Sequence, residues 1–149
     1  MLENLPLPEW ALVSPDGGPV PQVSRLAGRP LLLLMFHVDC PGCIHRALPF
    51  ALKLSRAYPD VQVMAIHTQP EGFNRSADFV LEALRQLSIP FPVWLDEGDT
   101  TYKRFGAEGT PHWWLTDQAG IVQKSIFGSM LNSLHRLDYG LSEMFQVPG

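Results

Sequence analysis

An uninterrupted apolar run that ends four residues before a pair of cysteines constrains the fold of this chain more than any other feature. The run Leu31–Phe36 contains no polar residue, which is typical of a strand that is covered on both faces of a sheet. Cys40-Pro41-Gly42-Cys43 follows it, and its proline suits the first turn of a helix. The pattern therefore predicts a buried strand that leads through two cysteines directly into a helix.

The rest of the chain alternates between strand and helix patterns. Strands are predicted at 31–37, 61–67, 93–95, 112–116 and 121–127, and helices at 41–58, 75–88, 99–105 and roughly 129–146. Connections long enough to hold a crossover helix predict parallel strands. The tetrapeptide Asp117-Gln118-Ala119-Gly120 predicts a late antiparallel hairpin with Gly120 at positive φ. We therefore predict an α/β fold with a mixed central sheet, an antiparallel hairpin edge and helices on both faces.

The length of 149 residues predicts a single domain, 1–149. Residues 1–28 are rich in proline and glycine and are predicted to form an irregular leading segment, with a short strand or hairpin around 10–13 and 20–23. Residues 29–149 are predicted to form the core. Within it, Pro49 is expected to kink the first helix.

Charge and hydropathy exclude several classes of function. Eleven basic residues against fifteen acidic ones give a net charge of −4, so the chain lacks the basic surface of a nucleic-acid-binding protein. No apolar run approaches the roughly 18 residues that a membrane helix needs. Since the first residues include an acid and no basic residue before Arg25, they do not resemble a secretory signal, and we expect a cytoplasmic protein.

The spacing of the two cysteines indicates redox chemistry. Cys40 would lie at a helix N-terminus, where free amides and the helix dipole favour a thiolate. Cys43 would lie one turn further on the same side, close enough to form a disulfide. A structural zinc site needs four ligands; His37, His45 and His112 could complete one, but none has the usual paired spacing. No metal and no cofactor are predicted, and two inert buried cysteines remain an alternative.

These motifs together resemble the thioredoxin fold over roughly residues 25–127. The resemblance rests on the strand, the Cys40-Pro41-Gly42-Cys43 motif, Pro49, Thr110-Pro111 before a strand, and the late hairpin. More narrowly, the chain is similar to the TlpA-like thiol-disulfide oxidoreductases, in the branch that includes the thioredoxin-like part of DipZ proteins, through residues 63–68, 89–93 and 109–111.

The resemblance implies a three-layer thioredoxin-like fold and assigns roles to four residues. Cys40 would attack the substrate and Cys43 would resolve the mixed disulfide. Thr110 and Pro111 would be joined by a cis peptide bond, and their backbone would bind the substrate chain.

The chain departs from the family pattern at three places. Asp39 stands where the family commonly has tryptophan, and Pro49 comes six residues after Cys43 rather than five. The strand before the motif lacks the buried acid that relays protons in thioredoxin. Candidate replacements for that acid are Glu71, Asp96 and Glu108.

Three residues around the cysteine motif, together with the histidine that follows Pro111, are candidates for tuning the charge of the Cys40 sulfur. A protonated His37, His45 or His112 would favour the thiolate, although each is also compatible with a purely structural role. The carboxylate of Asp39 would disfavour it through like charge.

The predicted function is reduction of protein disulfides, with electrons supplied by a low-molecular-weight thiol or a reductase. One alternative is a peroxiredoxin-like thiol peroxidase, because Pro41-Gly42-Cys43 resembles a peroxidatic loop; Cys40, however, stands where such a loop has threonine. A second alternative is a non-enzymatic thioredoxin-fold adaptor or metallochaperone that uses the same two sulfurs.

Overall fold

A six-stranded mixed sheet forms the centre of the computed structural model, which describes residues 2–145. In chain order the strands are β1 (Leu12–Val13), β2 (Leu31–Phe36), β3 (Gln62–His67), β4 (Val93–Asp96), β5 (His112–Thr116) and β6 (Val122–Phe127). Their order across the sheet is β1-β4-β3-β2-β5-β6. β2, β3 and β4 run parallel, whereas β1, β5 and β6 pair antiparallel with their neighbours.

The helices lie between and after these strands. They are a 3₁₀ turn (Val23–Leu26), a π-helical turn (Cys43–Ala47), α1 (Leu48–Ala57), α2 (Ala77–Gln86), α3 (Thr100–Arg104) and α4 (Leu131–Met144). Within residues 2–145, no helix has the length and apolar character needed to cross a membrane.

Alternate side chains of β2 enter two separate cores, one on each face of the sheet. Leu32, Leu34 and Phe36 pack with α1, α2 and α4, whereas Leu31, Leu33 and Met35 pack with the start of the chain and the region of α3. Because both faces of β2 are covered, every one of its side chains is buried. The central strand therefore ends inside the protein, and the residues that follow it emerge at the surface.

The predicted fold class is confirmed, since the sheet is mixed, β5 and β6 form an antiparallel hairpin at its edge, and helices cover both faces. Gly120 has a φ of +83° in the hairpin turn. The end of the last predicted helix, at residue 146, and the outermost ends of the predicted domain lie outside the described residues.

The leading segment contains the short strand predicted around residues 10–13, as β1, but no hairpin. β1 pairs with β4, and a 3₁₀ turn begins at Val23. Pro19 and Pro21 flank Val20 and have no backbone N–H to donate, which explains why no strand forms there. The segment also contributes to the second core, because Leu7 and Trp10 are buried there with Leu31, Leu33 and Met35.

The first helix is irregular just before Pro49, where the sequence predicts a kink. The turn before it is π-helical, and the N–H of Leu48 donates to the carbonyl oxygen of Cys43. Pro49 is the second residue of α1 and cannot donate a backbone N–H to the turn before it. One consequence is that Cys43 lies in the π-helical turn.

Candidate active site: a dithiol at the end of the central strand

Two free cysteines face each other just beyond β2. Their sulfurs lie 2.6 Å apart. Cys40 is partly exposed, whereas Cys43 is fully buried among the side chains of the first core. The arrangement presents one sulfur to solvent and keeps the other behind it.

The hydrogen bonds around the two sulfurs distinguish their roles. The N–H of Cys43 points at the sulfur of Cys40, at 3.2 Å, and the Cys40 thiol donates to the carbonyl oxygen of Thr110 at 3.5 Å. An N–H donor at this position stabilises negative charge on the Cys40 sulfur. Burial raises the pKa of the Cys43 thiol, and the neighbouring Cys40 raises it further. Cys43 therefore stays protonated while Cys40 is the accessible nucleophile.

A groove of about 380 Å³ opens beside Cys40. It is lined by His37, Asp39, Cys40, Thr68, Pro70, Phe73, Asp99, Tyr102, Gly109 and Thr110. Phe73 is 64% exposed at the groove. The groove is thus large enough to receive a side chain of a bound polypeptide next to the reactive sulfur.

The segment before β5, residues 109–111, lines the side of the groove next to Cys40. Its Thr110–Pro111 peptide bond is cis. Gly109 has a φ of +149°, and a Cβ atom there would lie 2.7 Å from the ring of Phe127. The carbonyl oxygen of Pro111 accepts the N–H of Gly128 at 2.8 Å. Contacts from the end of β6 therefore hold this segment in place.

His37 and Asp39 lie on the other side of Cys40. His37 is buried, and its Nδ1 accepts the N–H of Asp39 at 3.0 Å. The carboxylate of Asp39 forms an ion pair with the guanidinium of Arg75, at 2.7 Å. The charge that precedes Cys40 is therefore balanced by a cation from a distant part of the chain.

Comparison with known proteins assigns the chain. A family model described as Redoxin matches residues 3–141. The chain belongs to the Redoxin family. This membership confirms the predicted family, and it supports the predicted class of enzyme, a thioredoxin-like oxidoreductase.

Two kinds of relative accompany this Redoxin assignment. Protein DipZ of Mycobacterium bovis and of Mycobacterium tuberculosis is 27% identical over 119 residues, which are 78% of this chain and 17% of DipZ. A crystal structure of a thioredoxin-like superfamily protein is 24% identical with a TM-score of 0.82, covering 97% of this chain and 98% of that one. A thiol-disulfide isomerase from Corynebacterium glutamicum is 24% identical with a TM-score of 0.79, covering 96% and 97%. The structural likeness shows that the Redoxin chain has the thioredoxin-like fold.

Two of the predicted tuning residues, His112 and His45, have different surroundings in this Redoxin protein. His112 faces the second core, where its ring stacks on Trp114 with centroids 4.2 Å apart and its Nε2 lies 2.8 Å from Ser125 Oγ. Burial lowers the pKa of His112 to about 4. Cys40 and Cys43 pack on the opposite core, so the His112 ring lies on the other face of the sheet and does not have the predicted tuning role. His45 is exposed on the π-helical turn.

Of the three acids predicted as candidates for a proton relay, two are exposed and one is buried. Glu71 and Glu108 are exposed. Asp96 is buried, and its carboxylate accepts the N–H groups of Thr101 and Tyr102 at 2.8 and 3.1 Å. Burial raises the pKa of Asp96. Its carboxylate therefore caps the first turn of α3. Among residues 2–145, no group of three or more side chains that could bind a metal is present.

Sequence reasoning missed the groove residues that come from outside the two motifs. Phe73 and Tyr102 line the groove with Cys40, and Arg75 pairs with Asp39; the sequence around these three residues carries no motif. The contact of Phe127 with Gly109 had a sequence signal, because a glycine two residues before Pro111 indicates that something packs closely against the backbone there.

Proposed function

We propose that the protein is a thiol-disulfide oxidoreductase that reduces protein disulfides through Cys40 and Cys43. The observation that carries the proposal is the asymmetry of the dithiol. The sulfur of Cys40 is open to a groove and accepts an N–H, whereas the Cys43 thiol is buried and its pKa is raised. Such a pair suits a reaction in which one sulfur meets the substrate and the other acts only afterwards.

The reaction balances as two exchanges. The Cys40 thiolate attacks one sulfur of a substrate disulfide, a mixed disulfide forms, and the other substrate sulfur leaves as a thiolate and takes up a proton. Cys43 then loses its proton and attacks the sulfur of Cys40, which releases the second substrate thiol. The substrate gains two electrons and two protons, and the enzyme dithiol becomes a disulfide.

We assign substrate binding to the backbone of Thr110 and Pro111. The carbonyl oxygen of Thr110 lies 3.5 Å from the Cys40 sulfur, so an extended chain that pairs with this backbone would bring its own sulfur to Cys40. Backbone pairing of this kind binds chains of different sequence, while the neighbouring groove selects among side chains.

We also propose that the net direction is reduction, in a cytoplasmic setting. Cytosolic thiols are kept reduced, and a thiol or a reductase would return Cys40 and Cys43 to the dithiol. This direction predicts a reduction potential at or below about −220 mV, the upper limit of the cytosolic glutathione poise. Equilibration with glutathione buffers measures it, and a value near that of a strong oxidant such as DsbA, about −120 mV, would reverse the proposed direction.

A trapping experiment tests the proposed reaction. In Cys43→Ser the mixed disulfide on Cys40 cannot be resolved, so incubation with oxidised protein substrates should accumulate covalent adducts that dithiothreitol releases. The matched control, Cys40→Ser, should trap none, since its remaining sulfur is buried. Equal trapping by both variants would contradict the roles; rapid oxidation of the reduced protein by peroxide, without adducts, would favour a peroxidase instead.

A further inference from the structure

Two histidines hold the turn that joins β2 to Cys40. The N–H of Val38 donates to Nε2 of His67 at 3.1 Å, and the N–H of Asp39 donates to Nδ1 of His37 at 3.0 Å. The N–H of Cys40 then donates to the carbonyl oxygen of His37 at 3.1 Å. Three successive N–H groups thus end on two histidines, whose ring centroids lie 4.5 Å apart.

The imidazole of His37 also reaches across to a second segment. Because Nδ1 accepts a hydrogen bond, the proton of the neutral ring lies on Nε2, which donates to the carbonyl oxygen of Phe73 at 2.5 Å. Phe73 belongs to the loop of residues 69–75, which we call the wall loop because Pro70 and Phe73 line the groove opposite Thr110.

The wall loop is internally braced, so one contact can position all of it. The side-chain amide of Gln69 donates to the carbonyl oxygen of Arg75 and accepts the N–H of Arg75, both at 2.7 Å. The Arg75 guanidinium is in turn paired with Asp39. His37 is therefore the buried link between the turn that carries Cys40 and the wall that faces it.

We propose that His37 is a positioning residue for thiol-disulfide exchange. Its imidazole fixes the turn before Cys40 through Nδ1 and fixes the wall loop through Nε2, so that the nucleophilic sulfur and the groove keep one relative geometry. This inference rests on the proposed function, because positioning has a catalytic meaning only if a disulfide-bearing chain binds in the groove.

Two substitutions separate the two hydrogen bonds. In His37→Asn the side-chain oxygen can take the place of Nδ1 and accept the N–H of Asp39, but the side chain is too short to reach Phe73. In His37→Gln the side-chain amide nitrogen can take the place of Nε2 and donate to Phe73, but nothing accepts the N–H of Asp39. His135→Gln, at an exposed position on α4, is the matched control.

The two variants should fail in different ways. Loss of one hydrogen bond changes a population by about fivefold. In His37→Asn we expect hydrogen exchange at the N–H of Arg75 to become about fivefold faster. The KM for a protein disulfide should rise by a similar factor, while the rate at which iodoacetamide alkylates Cys40 stays unchanged.

In His37→Gln we expect faster hydrogen exchange at the N–H of Asp39 and a changed rate of Cys40 alkylation by iodoacetamide. The value of kcat should fall about fivefold.

Defined results would overturn the proposal. It fails if both variants match His135→Gln, if they show the same pattern as each other, or if neither folds, since His37 would then serve only the core. A wild-type protein that reduces no protein disulfide would refute the proposed function instead. Hydrogen exchange and alkylation would still decide whether His37 positions Cys40 and the wall loop.

Discussion

At the scale of single residues, the charge beside Cys40 is set by a pair of side chains. Asp39 alone would place a negative charge next to the nucleophile, as its position in the sequence suggests. Arg75 lies 36 positions further along the chain, yet its guanidinium is 2.7 Å from the Asp39 carboxylate, and both side chains are about 40% exposed. The pair therefore neutralises the charge that the sequence predicts to disfavour the thiolate.

Removing the cation should uncover the effect of Asp39. We expect Arg75→Gln to slow the alkylation of Cys40 at pH 7 by about threefold, because an exposed charge pair contributes less than 1 kcal/mol. Asp39→Asn alone should change the rate by less than that. The double variant Asp39→Asn/Arg75→Gln should recover the wild-type rate in a double-mutant cycle; additive effects would show that the two residues act independently.

Burial should separate the two thiols kinetically. Iodoacetamide should modify Cys40 first and Cys43 at least about tenfold more slowly, because the buried Cys43 thiol seldom ionises and is closed to solvent. Mass spectrometry of peptides from the partly alkylated, reduced protein measures both rates. Faster modification of Cys43 would reverse the assignment of attacking and resolving cysteine.

At the scale of elements, Gly109 limits how β6 can approach the segment before β5. An alanine there would combine a left-handed backbone with a contact of 2.7 Å to the ring of Phe127. Gly17 also has a positive φ, at +80°, but a Cβ atom there would meet no atom within 4 Å. Both glycines therefore have a positive φ, but only Gly109 would meet a steric clash.

We expect Gly109→Ala to lower the free energy of unfolding by about 2 kcal/mol more than Gly17→Ala, the typical cost of an overpacked contact. Urea unfolding measures both. Adding Phe127→Ala to Gly109→Ala should remove the difference, because the clashing ring is gone. Equal losses for the two glycine variants would mean that Phe127 moves aside freely.

Some of these elements follow from local sequence, and others do not. The strand β2 is predicted by an apolar run alone, and the β5–β6 turn by Asp117, whose Oδ1 accepts the N–H groups of Ala119 and Ile121. The pairing of β1 with β4 joins two distant segments, so no local pattern could reveal it. The π-helical turn Cys43–Ala47 lies just before Pro49, whose shifted spacing from Cys43 is the local signal of an irregular helix there.

The same division holds for the candidate site. Cys40, Cys43 and Thr110 could be named from motifs, because each motif fixes a backbone geometry at a strand end. The facing side of the groove could not be predicted, since residues 69–75 have no regular structure and reach Cys40 through contacts of His37 and Arg75. The face of His112 was predictable from strand alternation with Trp113, which packs in the core of Cys43.

At the scale of the whole molecule, two buried histidines link stability to pH. Burial lowers the pKa of His67 to about 3 and that of His112 to about 4. Both stay neutral in the folded protein at pH 5, whereas unfolded histidine, with a pKa of about 6.5, takes up a proton. The unfolded state therefore binds more protons, and stability is lost as the pH falls below about 6.5.

His112→Gln should reduce this pH dependence. Between pH 7.5 and pH 5, His112 alone should account for about 2 kcal/mol of lost stability, and glutamine cannot titrate. Urea unfolding at the two pH values, compared between wild type and variant, measures the difference. The raised pKa of Asp96 changes stability with pH in the opposite direction, so the test is the difference between wild type and His112→Gln. If both proteins lose the same stability between the two pH values, His112 is protonated in the folded protein.

The leading segment reaches both ends of the strand order. Asn4 and Leu5 exchange backbone hydrogen bonds with Val122 at the start of β6, and a few residues later β1 pairs with β4. The segment thus occupies N–H and carbonyl groups that would otherwise be free to pair with a strand of another molecule. A chain that lacks residues 1–13 also loses Leu7 and Trp10 from the second core. It should consequently self-associate through its sheet margins and the uncovered core, which light scattering and thioflavin fluorescence would detect.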